Sequence, residues 1–249
     1  IGGAIAIQKS DDDTRARIVD STLEDLADQA GSLVVQAIKS GERTAVATGI
    51  SASLSKGSTT NWSVAGSASV TTSTDDTRAL LENTDVTGDV ASPIAMGVQV
   101  VAYDRSRIGA GGGALSVSTG KGSASAGAAI SIVDMKGSTS AVLNAGTMTR
   151  VHDLAVAALS SQKVVGMAAV ASVQTDASSK GQLMGSFVFN QIGNTVGAGV
   201  KGAAAVNLTG DLAIQAGGAP NDSTLDALVG DVRSSTMIDY EMASTSNGY

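Results

Sequence analysis

The acidic residues are the first candidates for chemistry in this 249-residue chain. Asp75 and Asp76 are adjacent, and Asn83-Thr84-Asp85 follows them shortly afterwards. Two carboxylates flanking a glycosidic bond can act as acid and base in sugar hydrolysis. The acidic pair recurs at Asp12-Asp13, however, which a structural repeat explains and a single active site does not. We therefore expect Asp75 and Asp76 to belong to a structural turn.

Metal binding has few candidate ligands. Asp11-Asp12-Asp13 is the densest acidic run, and clustered carboxylates can supply hard oxygen ligands to Ca²⁺. The Gly-Gly-x-Gly-x-Asp repeat of calcium-binding β-rolls is absent, which favours a solvated loop. His152 is the only histidine and the chain has no cysteine, so no second residue of either type can share a metal with it. We expect His152 in a solvated turn.

A glycine-rich run and the few aromatic residues complete the candidates. The run from Gly109 to Ala114 is followed by the alternating Leu115-Ser116-Val117-Ser118 and not by the helix that a dinucleotide site needs, so it predicts close packing in a strand. Phe187 and Phe189 share parity with apolar strand positions, as Trp62 does, and all three are expected in the core. The tyrosines are isolated, which leaves no aromatic stripe for a glycan: Tyr103, Tyr240 and Tyr249. We assign no catalytic, cofactor-binding or metal-binding residue.

The composition restricts the elements that could position such residues. Ala, Gly, Ser and Thr make up about half of the chain, whereas only 2% of residues are aromatic. A core of large side chains is therefore excluded, which disfavours helical bundles and TIM barrels. We expect a thin core in which backbone lies close to backbone.

Charge and hydropathy exclude two classes of partner. The net charge is −7 and no basic cluster is present, which argues against nucleic acid. No run approaches the 18 apolar residues of a membrane span. The first seven residues, from Ile1 to Ile7, lack a basic leader and are typical of the middle of a strand, so we expect a segment of a larger protein.

Internal repetition is the strongest indication of the fold in this sequence. Asp12-Asp13-Thr14-Arg15-Ala16 recurs at Asp75-Asp76-Thr77-Arg78-Ala79. Small and apolar residues alternate at four positions spaced about 60 residues apart. A triplet that we expect to form a second short strand follows each of them about ten residues later. The alternating segments begin at Gly3, Gly66, Ala128 and Gly185, and the triplets at Ala16, Ala79, Ala141 and Ala198. An acidic-aliphatic pair comes next in each unit: Asp25-Leu26, Asp89-Val90, Asp153-Leu154 and Asp211-Leu212.

These repeats predict an all-β fold, a right-handed parallel β-helix (β-solenoid) of about four 60-residue units. The units are 1–63, 64–125, 126–182 and 183–232, and residues 233–249 are an irregular tail or an extra coil. Alternation with period 2 predicts strands throughout, with at most one helical turn near Ser21 and Glu24. We expect coils of about 20 residues, three per unit, that form a rod roughly 55–60 Å long. Ile7, Val70, Ile132 and Phe189 are expected to stack on one another and to point inward.

The third unit resembles the repeats of giant secreted bacterial adhesins. Its segments Gly122-Ser123-Ala124-Ser125-Ala126-Gly127-Ala128-Ala129-Ile130-Ser131-Ile132-Val133 and Ser140-Ala141-Val142-Leu143-Asn144-Ala145-Gly146-Thr147-Met148 carry the resemblance. These adhesins are filamentous-haemagglutinin-like and leukotoxin-like surface proteins, exported by two-partner or autotransporter routes. The resemblance implies an extracellular, rod-like β-helical stalk without catalytic residues.

The sequence thus favours a non-catalytic stalk or adhesive segment at the bacterial cell surface, which contacts a host or matrix surface or neighbouring copies of itself. Binding specificity is expected where the units differ in length, at residues 40–43, 103–107 and 216–223. One alternative is a structural subunit that stacks into an extracellular fibre or sheath. The other is a polysaccharide-acting β-helical enzyme, because pectin-degrading hydrolases are also β-helices; their Gly-His-Gly and Arg-Ile-Lys elements are missing here.

Overall fold

Alternating small and apolar residues build a structure made of parallel β-strands. The computed structural model describes residues 1–24, 33–54, 61–88, 97–175, 180–202 and 205–218. None of these residues is helical, and hence none lies in a helix that could cross a membrane. Their strands, in chain order, are β1 (Gly2–Val19), β2 (Thr22–Leu23), β3 (Leu33–Lys39), β4 (Glu42–Leu54), β5 (Trp62–Glu82), β6 (Asp85–Thr87), β7 (Val98–Asp104), β8 (Arg107–Thr119), β9 (Ala124–Asn144), β10 (Thr147–Val151), β11 (Leu154–Ser160), β12 (Lys163–Gln174), β13 (Gly181–Lys201), β14 (Ala205–Leu208) and β15 (Leu212–Gly218).

Each repeat contributes one strand to each of several stacked sheets. Sheet A has the order β1-β5-β9-β13, sheet B β2-β6-β10-β14, sheet C β3-β7-β11-β15 and sheet D β4-β8-β12. Strands from successive repeats are neighbours in every sheet, and all described pairs are parallel. The expected all-β fold of stacked parallel strands is confirmed.

The register of sheet A matches the repeats seen in the sequence. Ile7 pairs with Val70, Val70 with Ile132 and Ile132 with Phe189, at spacings of 63, 62 and 57 residues. Each triplet position aligns as well, so that Ala16, Ala79, Ala141 and Ala198 form one ladder. The triplets are continuous with the preceding alternating segments in strands of 18 to 21 residues, and do not form separate short strands.

Two expectations about the repeat geometry are wrong. Every described strand pairs with its equivalent one whole unit away, so the repeat of about 60 residues, and not a coil of 20, is the stacking unit. Four layers at about 4.8 Å spacing extend only about 14 Å between the first and last strands, not 55–60 Å. Of the acidic-aliphatic pairs, Leu154 aligns with Leu212 as expected, whereas Asp25-Leu26 and Asp89-Val90 lie outside the described residues. The ladder that contains Leu154 continues through Val98 and Leu33.

Sheet A is long enough to face different sheets with its two halves. Its second half packs with sheets B and C around buried Leu, Val and Met side chains, among them Leu81, Leu143, Met148, Val100 and Val156. Its first half packs on sheet D through far smaller residues, such as the cluster Ala65, Ala114 and Ala129. The core is therefore thin between sheets A and D, as expected, and wider between sheets A, B and C.

The expected inward orientation of Ile7, Val70, Ile132 and Phe189 is wrong. Ile7 is 73% exposed and Phe189 is 45% exposed, and the whole ladder lies on the outer face of sheet A. Their neighbours in sequence, such as Ser69 and Ser131, are fully buried. The reason is the close approach of sheets A and D: a Cβ at Gly49 would overlap the backbone carbonyl of Gly66, and one at Gly112 would lie 2.8 Å from the carbonyl oxygen of Ile130. Only small side chains fit between such backbones.

The corner that ends each strand of sheet A is a stacked left-handed turn. Asp20, Asn83, Ala145 and Gly202 occupy it in successive layers, with φ between 50° and 79°. The Asn83 amide nitrogen donates to Asp20 Oδ1 over 2.8 Å, which joins two layers. The single helical turn expected near Ser21 and Glu24 is not present in the described residues, because β2 occupies this position.

Candidate functional site

The outer face of sheet A carries a continuous apolar surface, which we call the apolar face. It consists of outward side chains from the first halves of the four long strands: Ile5, Ile7, Trp62, Val64, Ala68, Val70, Ala126, Ile130, Ile132, Leu183, Phe187 and Phe189. Trp62 is 68% exposed and Phe187 is 56% exposed, so the expectation that these residues and Phe189 lie in the core is wrong. The apolar face extends over nine residues along each of the four strands, which corresponds to an area of about 600 Å². An apolar patch of this size commonly marks an interaction surface.

The second half of the same outer face is polar and charged. Asp13 accepts a hydrogen bond from Arg15 Nε over 2.7 Å, and Lys136 Nζ donates to Asp134 Oδ2 over 2.9 Å. These exposed pairs contribute little to stability, since solvent screens them. Their effect is to separate an apolar half from a hydrophilic half along each long strand, so that contact with another apolar surface is confined to one region.

The outer face of sheet D carries a groove of about 520 Å³. Gly109 and Gly111 of β8 form its floor, because they have no side chains, and Val46, Val165 and Met167 of the flanking strands form its walls. The run from Gly109 to Ala114 is thus a strand, as expected, and not a phosphate-binding loop before a helix. The groove and the apolar face lie on opposite outer surfaces of the same half of the molecule.

A charged cluster that is mostly buried except for Asp12 lies where sheets A, C and D meet. Lys39 is at the end of β3, Arg43 is near the start of β4, and Asp12 and Asp75 are in-register inward residues of β1 and β5. Lys39 Nζ is 2.6 Å from Asp75 Oδ1, with the two side chains 5% and 0% exposed. Arg43 Nη1 is 3.4 Å from Asp75 Oδ2, and Arg43 also pairs with Asp12. Two cations and two anions therefore balance one another.

Polar side chains continue from this cluster into the other layers. Asp104, the ladder partner of Lys39, is fully buried and accepts from Ser106 Oγ over 2.6 Å and from Gln162 Nε2 over 2.7 Å. Further along, Asn194 Nδ2 donates to Ser160 Oγ over 2.9 Å. The result is a polar column that separates the wide apolar core from the thin one.

The candidate catalytic carboxylates do not form a pair. Asp75 points inward and is fully buried, whereas Asp76 points outward and accepts a hydrogen bond from Ser138 Oγ over 2.7 Å. Successive residues of a strand point to opposite faces, so a substrate cannot contact both. The expectation that Asp75 and Asp76 lie in a turn is also wrong, because both are within β5.

The Asn83-Thr84-Asp85 motif stabilises the corner. Thr84 Oγ1 donates to the carbonyl of Glu82 over 2.8 Å, and Asp85 Oδ1 accepts from Thr147 Oγ1 over 2.5 Å and from Thr147 N over 2.8 Å. The side-chain hydrogen bond from Thr147, followed by the backbone one, lowers the pKa of Asp85 below its ordinary value of 3.8. The motif thus connects one layer to the next.

The remaining candidates take structural positions. Asp11-Asp12-Asp13 lies within β1 and not in a solvated loop, and its members alternate between the two faces of sheet A. Among the described residues, no three acidic, histidine or cysteine side chains are grouped so that they could hold a metal ion. His152 lies next to β10 with Nδ1 2.8 Å from Asp153 Oδ1, in the partly exposed bend that we expected. Tyr103 is buried, and Tyr240 and Tyr249 lie outside the described residues.

Comparison with known proteins adds no further evidence for a family. The chain matches no protein-family model, and no curated protein or solved structure matches it significantly. The resemblance to adhesin repeats stays a prediction from the sequence pattern.

Proposed function

We propose that this chain is a segment of a right-handed parallel β-solenoid with one turn per repeat, and that it serves as a non-catalytic stalk and adhesive segment of a large secreted bacterial surface protein. The observation that carries the proposal is the register of sheet A. Equivalent residues remain aligned through four repeats in strands of 18 to 21 residues. Such a pattern allows any number of repeats to be added without a change in the turn.

Stiffness follows from the direction of the backbone hydrogen bonds. In stacked parallel strands these bonds run along the stacking axis, and neighbouring side chains of like size pack in ladders. The ladder of Ala16, Ala79, Ala141 and Ala198 is an inward example. Bending the stack would stretch many hydrogen bonds on one side at once, which suits a protein that holds a binding region away from a cell.

The apolar face supports the adhesive part of the proposal. Because each added repeat would extend the ladders of Ile5 and Ile7, a long solenoid would present an apolar stripe along its whole length. The partner would be a host or matrix surface or a neighbouring copy of the chain. Two of the expected locations of specificity, residues 40–43 and 103–107, lie where strands of sheet C are followed by strands of sheet D, and hence not in sheet A. In the third location, residues 219–223 lie outside the described residues.

Insertion of repeats tests the solenoid. Twelve further copies of residues 124–180 placed between residues 180 and 181 should lengthen the particle by about 58 Å, since each layer adds about 4.8 Å. Negative-stain imaging measures the length, and copies with a shuffled sequence of the same composition are the control. Inserted copies that form separate bodies beside an unchanged particle would contradict the proposal.

Polar substitutions on the apolar face test adhesion. Phe187→Ser with Phe189→Ser should reduce retention of the chain on hydrophobic and matrix-coated surfaces at least tenfold, because the most prominent apolar side chains are lost. The matched control is Thr195→Ser, a change on the polar half of the outer face of the same strand. Equal retention of both variants would show that the apolar face is not the adhesive surface.

Axial stacking into a fibre is a second candidate function, and the edges of sheet A favour it. β1 and β13 are the outermost described strands of the sheet, and each has one backbone edge without a described neighbour. Edges of this length are templates for strand pairing. Filaments that form at increasing concentration of the isolated chain, and that Ile5→Pro in β1 prevents, would support this alternative; particles of constant length would count against it.

A further inference from the structure

We infer that Lys39 and Asp75 form an intramolecular isopeptide bond, which covalently joins the first repeat to the second. The three groups that such a reaction needs lie together: a buried amine, a buried carboxyl carbon and a second, partly exposed carboxylate that can relay protons. The inference does not depend on the proposed stalk function.

The reacting groups are close and protected from water. Lys39 Nζ is 2.6 Å from Asp75 Oδ1, and these side chains are 5% and 0% exposed. A second contact fixes the amine, because Lys39 Nζ also donates to the backbone carbonyl of Asp12 over 3.2 Å. Holding two reactants in this way raises their effective concentration by many orders of magnitude. Water, which would favour hydrolysis, has little access to the Asp75 carboxyl group.

The neighbouring side chains have the positions that the chemistry requires. The Asp12 carboxylate is 3.7 Å from Lys39 Nζ and 43% exposed, so it can exchange protons with both the amine and the solvent. Arg43 Nη1 is 3.4 Å from Asp75 Oδ2, where it can stabilise the negative charge that develops on this oxygen during attack. Asp12 and Arg43 are thus positioning and proton-relay residues around one amine and one carboxyl group.

The reaction balances without an external reagent. Asp12 takes a proton from the Lys39 ammonium group and relays it to Oδ1 of Asp75, and the neutral amine then attacks Cγ of the resulting carboxylic acid. A C–N bond forms, and the bond from Cγ to Oδ1 breaks as Oδ1 takes up the two protons lost from nitrogen and leaves as water. Oδ2 remains as the amide oxygen near Arg43. One positive and one negative charge disappear together, and Arg43 and Asp12 remain as an ion pair.

Only the first two repeats contain this arrangement among the described residues. Asp75 is followed in its ladder by Gly137, and Lys39 is followed by Asp104, which Ser106 and Gln162 already bind. The bond would therefore join β3 of the first repeat to β5 of the second, where no other covalent connection exists except the chain itself.

Mass spectrometry tests the inference directly. The intact, denatured full-length chain should be lighter than its sequence by the mass of one water. Trypsin should fail to cleave after Lys39 and should release a branched peptide in which residues 18–43 are joined to residues 57–78. A chain that has a β-sheet circular dichroism spectrum and the full mass of its sequence, with cleavage after Lys39, would overturn the inference.

Variants distinguish water loss through this bond from water loss at another site in the chain. Lys39→Arg keeps the positive charge but removes the amine, and should have the full mass. Asp75→Asn should react with loss of ammonia in place of water. Lys136→Arg is the matched control, because Lys136 pairs with Asp134 at the surface, and it should lose water as the unmodified sequence does. Loss of water in Lys39→Arg would overturn the inference, since another site would then be responsible.

Discussion

Ser63 illustrates how small polar residues fill the space between sheets A and D. Its hydroxyl lies 2.9 Å from the hydroxyls of both Ser51 and Ser116, and all three side chains are buried. A serine occupies little more volume than alanine, yet it can donate and accept hydrogen bonds within the core. Hydroxyl groups that satisfy one another allow the two backbones to approach without leaving most of these polar atoms unpaired.

Ala145 is a site where one substitution should stabilise the protein. It adopts φ of 55° in the corner where Asp20, Asn83 and Gly202 occupy the other layers. The left-handed conformation is unfavourable for alanine but is tolerated by asparagine. Ala145→Asn should raise the free energy of unfolding by about 1 kcal/mol, measured by urea denaturation. The reverse change in the layer below, Asn83→Ala, should lower it by a similar amount; equal stability of both variants would contradict this account of the corner.

Asp85 should make stability sensitive to acid. Hydrogen bonds from Thr147 lower the pKa of Asp85 below 3.8, so the ionised form stabilises the folded state above that pH. This contribution is lost as the pH falls through the lowered pKa. Thr147→Val should raise the pKa of Asp85 toward 3.8, as measured by NMR titration of its carboxyl carbon. Thr147→Ser keeps the hydroxyl and should leave the pKa low; a low value in both variants would show that the hydroxyl is not the cause.

The repeats could be aligned from the sequence, but which face of each strand is buried could not be predicted from it. The recurring Asp-Asp-Thr-Arg-Ala segment predicts which residues are neighbours, and the ladders of sheet A confirm it. The choice of buried face follows in most strands from the larger apolar residues. Here that rule fails in the first half of sheet A, because the distance to sheet D, which depends on both sheets, admits only small side chains.

The buried charged cluster was missed for a related reason. Asp75 appears in the sequence as one of two acidic neighbours, and only its position in β5 shows that it points inward. Lys39 and Arg43 lie in a different part of the repeat and approach Asp75 only because sheets C and D fold over sheet A. Contacts between distant segments of one repeat leave no periodic signal in a single sequence.

Glycines allow the backbones of sheets A and D to lie close together. A Cβ at Gly49 would overlap the backbone of Gly66, whereas the space around Gly185 on the outer face of β13 is open. Gly49→Ala should destabilise the protein by about 3 kcal/mol, because neither backbone can move without disturbing its sheet. Gly185→Ala should be neutral or stabilising by about 0.5 kcal/mol. Thermal denaturation distinguishes the two, and similar melting temperatures would contradict the close approach of the sheets.

The four layers of the molecule differ in how well they are protected from local unfolding. The strands β5 and β9 have hydrogen-bonded neighbours on both sides in sheet A, whereas β1 and β13 have a described neighbour on one side only. Leu81 and Leu143 on the inner pair are buried, but Ile18 at the equivalent position of β1 is only partly buried. Stability should therefore decrease from the middle layers toward the two ends.

Hydrogen–deuterium exchange measures this gradient. Backbone amides of β5 and β9 should exchange at least tenfold more slowly than those of β1 and β13, since opening an end strand disrupts one ladder and opening a middle strand disrupts two. Uniform protection across the four strands would indicate that the layers open together. The same measurement on Gly49→Ala should show faster exchange in β4 and β5 first, because the substitution lies between them.

The alignment of equivalent residues in adjacent layers has a consequence for how such a sequence can evolve. A side chain at one position touches its counterparts about 60 residues earlier and later in the chain, as Ile7, Val70, Ile132 and Phe189 do. Duplication or loss of one complete unit by recombination preserves all of these contacts and alters only the height of the stack. Gain or loss of a few residues within a long strand shifts every later partner, and selection should therefore confine length variation to the segments between strands.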